Sequence, residues 1–250
     1  MEMGEKMKKF IFGVLVVGIL AALVLGISYY FNEEHPTDLD SSNLESVGDL
    51  FKEEDGYDIE DDFSKEIKEI DIVSLNGAFT IEKANFDGIK IKNKSYRNID
   101  YDFTDGKLKV EDTKSKEEVH SIESLLKKDI GKVKICSKNP EEIYLKINQM
   151  NGALAVDSRL KKMEIDVVNG YLSVNSEDSF DTAVQEINGA AEIDMDKIDS
   201  RIKIERVNGE VKLSFDDVNS FQINNFDKTL GSGRDLIDFG TVNGFLKIDE

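Results

Sequence analysis

One pattern occurs seven times along this chain of 250 residues, and most copies carry Asn-Gly at the same point. Positions six and four before the aligned residue are apolar almost throughout, and so are positions three and five after it. From the third copy to the sixth, the spacing is 18, 19 and 20 residues. A period near 20 predicts a stack of similar structural units. The aligned residues are Asn76, Asp105, Asn151, Asn169, Asn188, Asn208 and Asn243.

Asn-Gly between alternating apolar residues usually marks a tight hairpin, so a hairpin is the alternative to be tested. In the copy around Asn169, however, the alternation slips by one residue between Ile165 and Val168. Counting by twos from Val168 passes through Gly170 and reaches Leu172. Because side chains alternate strictly along a strand, the slip predicts a bend between two short strands that face one interior. Gly would sit where the wall turns, and Asn would adopt the left-handed conformation.

A third, looser apolar position follows eight to ten residues after the Gly of each regular copy. Three inward faces per period predict an all-β fold, a single-stranded parallel β-helix (solenoid) of ~20-residue coils over residues 67–250. An antiparallel sandwich or a meander of hairpins is the alternative. The third-position residues are Leu160, Phe180, Ile198 and Val218.

The charge of the chain limits its partners. A net charge of −19 argues against nucleic acid, because phosphate binding requires a basic surface. The same charge keeps a strand-rich surface soluble and self-repelling. The chain has only two Pro, which suits stacked strands because Pro removes a backbone donor.

Residues 10–31 form a stretch of 22 residues without a charge. As a helix it would be ~33 Å long, enough to cross a bilayer. Lys6, Lys8 and Lys9 precede it and acidic residues follow it, so we expect residues 1–9 in the cytoplasm and the rest outside the cell membrane. A cleaved signal peptide is the alternative, but the apolar run is too long and no small-residue cleavage site ends it. We predict an uncleaved, single-pass transmembrane signal-anchor.

Two segments depart from the repeat. Residues 32–66 contain fourteen Asp or Glu and two Lys, which predicts an acidic linker with one possible short helix around Leu44–Phe51. Residues 113–129 carry a capping-box pattern at Ser115–Glu118 and a one-sided apolar stripe, which predicts a short inserted helix. After it, Gly131, Val133 and Ile135 repeat the second half of the pattern.

No residue stands out as catalytic, cofactor-binding or metal-binding, and we expect none of these sites. Cys136 lies in an apolar run and is expected to be a buried hydrophobic residue. His35 and His120 have no metal-ligand spacing. The Gly-rich stretch Leu230–Arg234 lacks the Lys-Ser/Thr of a phosphate loop. Acidic pairs, Asp194 with Asp196 and Asp216 with Asp217, are expected on solvated faces.

With these residues in view, the chain resembles a bacterial putative-adhesin family with β-strand repeats, a domain of unknown function. The resemblance rests on the repeated pattern of residues 70–250 and is tightest from Gly231 to Asp249. Asn-Gly here stands where that family more often has Ser-Gly. The resemblance implies a β-repeat architecture, a membrane anchor and an association with the cell envelope and its stress response. It carries over no binding residues.

We therefore predict a membrane-anchored, extracytoplasmic β-repeat protein that acts without catalysis, as an adhesin-like interaction or scaffold element of the cell envelope. Its partner would be a cell-wall polysaccharide or an envelope protein. The side chains of Asn151, Asn169, Asn188 and Asn208 would form a ladder of hydrogen-bonded amides, in a structural role. Two alternatives remain: a carbohydrate-active β-helix enzyme, and an envelope scaffold that self-associates.

Overall fold

The computed structural model describes residues 56–92, 99–113, 131–198, 200–215, 221–224, 228–229 and 235–249. They lie within one compact unit of the chain, Ser41–Glu250. The described part is all β, as predicted, with one short 3-10 turn at Pro140–Glu142. Its thirteen strands are β1 (Ile59–Asp62), β2 (Glu69–Lys83), β3 (Gly88–Lys92), β4 (Ile99–Thr104), β5 (Lys107–Asp112), β6 (Gly131–Ser137), β7 (Tyr144–Asp157), β8 (Lys162–Asp178), β9 (Asp181–Lys197), β10 (Ile202–Phe215), β11 (Phe221–Asn224), β12 (Lys228–Thr229) and β13 (Asp235–Asp249).

Six long strands hold the intact copies of the repeat and pair side by side in the order β2-β7-β8-β9-β10-β13. Every one of these pairs is parallel. The register places the Asn-Gly of each strand directly beside that of its neighbour, as in Asn169 against Asn188. Parallel pairing requires a return connection between strands, so Asn-Gly cannot be a hairpin turn in these copies.

The slip in side-chain alternation occurs where the sequence places it. In β2, Ile72 is buried, Val73 and Ser74 both face outward, and Leu75 is buried again. The same two-residue step lies before the Asn of β7, β8 and β9. The strands nevertheless run through this bulge without interruption for 14 to 17 residues, where two short strands were expected. An extra residue shared by all the stacked strands preserves their pairing.

Asn does not take the left-handed conformation that the sequence pattern suggested. The positive φ values fall on the following Gly, at +138° for Gly170 and +140° for Gly189. Among the described residues only Asp105 is a non-glycine with positive φ. Asp105 and Gly106 (φ 51° and 83°) join β4 to the antiparallel β5 in a two-residue hairpin.

The copy assigned to Asp105 is therefore wrong, and the true one is split. Leu108 and Val110 of β5 lie beside Ile70 and Ile72 of β2 and fill the first half of the repeat. Gly131 of β6 lies beside Gly77 and begins the second half. Residues 113–130 separate the two halves. The sequence pattern identified β6 correctly. It did not identify β5, because the Asp-Gly of the hairpin resembles the Asn-Gly of the true copies and aligns with them.

The split copy and the strands around it make the sheet mixed. β3 pairs antiparallel with β6, β4 with β5, and β1 with β3. At the other end β11 pairs parallel with Asp235–Asp238 of β13, and β12 pairs antiparallel with β11. The predicted single-stranded parallel β-helix is not confirmed, because all thirteen strands belong to one mixed sheet. The order β6-β2-β7 also shows that the chain adds the split copy on one side of β2 and all later copies on the other.

The core consists of rows of apolar side chains, each row formed by equivalent positions of stacked strands. One row runs through Leu75, Met150, Val168, Ile187 and Val207, all fully buried. The third apolar position is also buried at Leu160, Phe180 and Ile198, as predicted, while Val218 lies outside the described residues.

Several predicted features fall on residues that the structure does not describe: the anchor at 10–31, the helix near residues 44–51, and nearly all of the insertion at 113–129. In the described part, no helix has the length and apolar character needed to cross a membrane. Strand β1 lies inside the stretch 32–66 that composition predicts as a linker. Only Ile59 of this strand is apolar and its three acidic residues are exposed, so its sequence carries no strand pattern.

Candidate functional site: the asparagine ladder and the outer faces of the stack

The side chains of six Asn residues form one continuous ladder across the stack. Each Nδ2 donates to the Oδ1 of the neighbouring Asn on the side of the split copy, at 2.6 to 2.9 Å. All the amides therefore point the same way, and each bond polarises the next. The ladder comprises Asn76, Asn151, Asn169, Asn188, Asn208 and Asn243.

A buried carboxylate ends the ladder at the split copy. Nδ2 of Asn76 donates to Oδ2 of Asp112 at 3.3 Å, and both side chains are buried. Asp112 thus takes the place of an Asn at the position where the repeat is interrupted. Sequence analysis missed it, because Asp112 lies six residues after an Asp-Gly that belongs to a hairpin. At the other end of the ladder Asn243 is exposed.

Beside the ladder runs a column of glycines that permits the strands to approach. A Cβ on Gly189 would lie 2.1 Å from the carbonyl oxygen of Gly170, and one on Gly209 would lie 1.8 Å from that of Gly189. Real Cβ contacts are never this short, and the φ values here also strain L-residues. The Asn-Gly pair is therefore an architectural element: Gly permits the close stacking and Asn bonds along it. The prediction of a structural ladder matches this geometry.

The outer faces carry charged pairs between neighbouring copies. Arg206 of β10 contacts Glu186 of β9 at 2.8 Å, and Lys212 of β10 contacts Glu192 of β9 at 2.7 Å. Glu192 also accepts from the hydroxyl of Tyr171 on β8 at 2.9 Å. Because these groups are half-exposed, each pair contributes little to stability. Together they place polar groups at regular intervals, one per strand, along the rigid outer surface of the stack.

Cys136 lies in a polar cluster on the outer side of β6. It is buried, as predicted, and its Sγ lies 3.7 Å from Oε1 of Glu82, which also accepts from Lys134 at 2.8 Å. Burial, with the Glu82 carboxylate as a smaller contribution, raises the pKa of the Cys136 thiol to about 11. Burial likewise raises the pKa of Asp157 on the neighbouring strand β7. A thiol held protonated is a poor nucleophile, so this cluster is structural.

A carbohydrate-active enzyme would require Asp, Lys or Arg side chains in one cleft, but the arginines that the structure describes do not converge. Arg159, Arg201 and Arg206 each face an acidic residue on a different part of the stack. Asp194 and Asp196 lie on β9. Among the described residues, no group of three His, Cys, Asp or Glu side chains could hold a metal ion. His35, His120, Asp216, Asp217, Leu230–Arg234 and the remaining arginines Arg97 and Arg234 lie outside those residues.

A second buried carboxylate, Asp87, was also missed from the sequence. It accepts from the hydroxyl of Ser137 at 3.0 Å and from the backbone N–H of Ile67 at 3.5 Å. It joins the loop before β3 to the end of β6 and to the segment before β2. Nothing in the local pattern distinguishes Asp87 from the many exposed acids of the chain.

Comparisons with known proteins find only weak similarity. No family model and no curated protein matches the chain. Among solved structures, a putative adhesin from Bacteroides fragilis shares 14% identity, with 76% of this chain and 96% of that chain covered and a TM-score of 0.31. A putative cell adhesion protein from Clostridium sporogenes shares 13% identity over 76% and 98% at a TM-score of 0.34. A putative lipid binding protein from Parabacteroides distasonis shares 11% over 78% and 98%, also at 0.34.

Proposed function

We propose that this protein is a membrane-anchored interaction element of the bacterial cell envelope that binds its partner without catalysis. Residues 10–31 would anchor it in the cell membrane, with residues 1–9 in the cytoplasm and the β domain outside. The partner would be a cell-wall polysaccharide or an envelope protein, in the setting of the envelope stress response that the family resemblance implies. In finer architecture, the coils of ~20 residues would wind as a parallel β-helix, interrupted at the split copy.

One observation carries the proposal: successive copies stack in register, so their outward side chains form straight rows at the spacing of neighbouring strands. Strands in a sheet lie about 4.8 Å apart. A surface with that fixed repeat matches an extended, repetitive partner better than a small substrate, which requires a concave pocket. The rows through Glu186 and Arg206, and through Glu192 and Lys212, are examples. The ladder and the glycine column keep these rows rigid.

The test has two parts on the full-length chain. The first locates the undigested chain by fractionation and then adds protease to spheroplasts, whose cell membrane is intact and directly accessible, and to opened cells. The proposal requires that the undigested chain be found with the membranes and that residues 32–250 be digested in spheroplasts. Protection in intact spheroplasts would contradict the proposed orientation.

The second part measures co-sedimentation of the purified full-length chain with isolated cell walls and with envelope membranes. A double variant, Glu186→Ala with Glu192→Ala, removes one carboxylate from each of two rows. Asp100→Ala with Asp102→Ala, at two exposed carboxylates of β4 outside these rows, removes the same charge and is the matched control. We expect the double variant to weaken binding several-fold and the control to leave it unchanged. Turnover of wall polysaccharide by the wild type would contradict the non-enzymatic proposal and favour the carbohydrate-active alternative.

A further inference from the structure

The second half of β13 is the exposed edge of the stack. Residues Thr241–Asp249 pair with β10 on one side and with no other described strand on the opposite side. β11 covers β13 only along Asp235–Asp238. A strand edge of this kind presents backbone N–H and C=O groups in the geometry that another strand would bind.

Four side chains along this edge are apolar and incompletely buried. Val242, Leu246 and Ile248 are partly buried, whereas Val207, Val211 and Leu213 beside them on β10 are fully buried. Phe245 is 66% exposed and is the large hydrophobic residue most open to solvent in the described part of the chain. Burying Val242, Leu246 and Ile248 would complete the rows of the core, and Phe245, opposite Glu210 on the outward face, would be covered beside them.

The charge of this edge sets it apart from the rest of the molecule. Thr241–Asp249 contains one Lys and one Asp, and so carries no net charge in a chain of net charge −19. Edge strands that must stay monomeric usually carry charge, Pro or a covering element. Two copies would repel each other over most of their surfaces, but here they could approach.

We infer that this edge is the interface of a symmetric dimer, in which β13 of one molecule pairs antiparallel with β13 of a second copy. At the opposite end, β6 and β5 are already paired with β3 and β4, so a copy of β13 cannot add to the repeat there. The outer strands at that end, β1 and β4, carry exposed acidic residues that disfavour edge pairing: Glu60, Asp61, Asp62, Asp100 and Asp102. The β13 edge is therefore left to meet a second β13 edge, and such a contact closes as a two-fold pair. A single strand with four apolar side chains is smaller than a standard interface of ~800 Å² per partner, so the dissociation constant should be roughly micromolar.

The first test is light scattering of the purified full-length chain in a mild detergent at rising concentration. We expect monomer to convert to dimer, and Phe245→Lys to weaken dimerisation by about tenfold or more, because it places like charges on the shared edge. Thr104→Lys, exposed on β4 at the opposite end, adds the same charge and should leave the dimer unchanged. A wild type that stays monomeric, one that grows beyond dimers, or a Phe245→Lys variant that dimerises normally would each overturn the inference.

A cross-linking test does not depend on the stability of a charged variant. In a Cys136→Ser background, Phe245→Cys should form a disulfide-linked dimer when an oxidant is added to membranes containing the full-length chain. Thr104→Cys in the same background should not. If Phe245→Cys cross-links only to a different protein, or to nothing, the second copy is not the occupant of this edge.

Discussion

The two ends of the stack are completed differently, although both begin from the same repeat. At the split copy, β4 pairs with β5 and β3 with β6, and Val133 and Ile135 of β6 are fully buried. At β13, Leu246 and Ile248 occupy equivalent rows but remain partly exposed. A parallel copy always presents an edge that fits one more copy. A change to antiparallel pairing, as at β3 and β4, ends the stack because it leaves no edge that fits a further parallel copy.

The largest difference between interior and exposed end should come from the glycine column. Gly189→Ala in β9 places a Cβ 2.1 Å from the Gly170 oxygen, between two neighbouring strands that cannot separate. We expect it to lower the free energy of unfolding by roughly 3–5 kcal/mol. Gly244→Ala makes an even shorter contact, 1.8 Å with the Gly209 oxygen, but β13 can detach alone, so the loss should be roughly 1–2 kcal/mol. Denaturant unfolding of the full-length chain measures both.

Gly56→Ala is the control for backbone strain alone. Gly56 has φ +82° and no atom lies within 4 Å of its missing Cβ. It should cost about 1 kcal/mol. If Gly189→Ala cost no more than Gly56→Ala, the close stacking at Asn-Gly would not be needed for stability.

A smaller contrast is expected within one core row. Ile193 of β9 and Ile248 of β13 occupy the same row, two strands apart, on either side of Leu213. Ile193→Ala should cost about 2–5 kcal/mol, because Ile193 is fully buried. Ile248→Ala should cost less than half as much, since its side chain is still partly exposed. Thermal unfolding compares the two variants, and equal losses would show that the end of the stack is as well packed as its interior.

The capped end also predicts a pH dependence. The pKa of Cys136 is raised to about 11 in the folded state from an ordinary value of 9.0. Between these values the thiol ionises in the unfolded chain but not in the folded one, so its contribution is intact below pH 9 and is lost as pH rises toward 11. The loss should reach about 2 kcal/mol. Comparing the unfolding of wild type and Cys136→Ser from pH 8 to 11 isolates this group from the tyrosines and lysines.

If wild type and Cys136→Ser lost stability equally from pH 8 to 11, Cys136 would be accessible to water in the folded protein, through local opening of β3 and β6. Thiol labelling gives a direct check: Cys136 should react with an alkylating reagent far more slowly than Phe245→Cys, which lies on the exposed edge.

The sequence predicts the interior of the stack better than its ends, for a physical reason. Inward positions such as Ile165, Val168 and Leu172 are constrained by burial, and the slip between them is visible as a change of alternation. The capped end of the stack, formed by β1, β3, β4, β5 and β6, depends on contacts between segments that are distant in sequence. β1 has one apolar residue, β5 follows a hairpin that imitates the repeat, and Asp112 and Asp87 are acids among 51. Their roles come from the strands beside them, which no local pattern reveals. The ladder could be predicted because equivalent positions of stacked copies must meet.

The smallest contrast concerns the ladder itself. Nδ2 of Asn169 donates to Asn151, and its Oδ1 accepts from Asn188, so Asn169→Ala breaks two bonds. Nδ2 of Asn188 loses its acceptor, and Oδ1 of Asn151 keeps only the bond from Gln149 at 3.2 Å. Asn243 makes one such bond, to Asn208, at an exposed position where water can replace it. We expect a cost of about 1–2 kcal/mol for Asn169→Ala and less than about 0.5 kcal/mol for Asn243→Ala.

Asn169→Asp is the sharper variant, because its carboxylate can accept from Asn188 but cannot donate to Asn151. At neutral pH it should be at least as destabilising as Asn169→Ala, and lowering the pH should restore part of the loss as the carboxyl regains a donor. Denaturant unfolding at pH 7 and pH 4 measures this recovery, and its absence would contradict the directional bonding of the ladder.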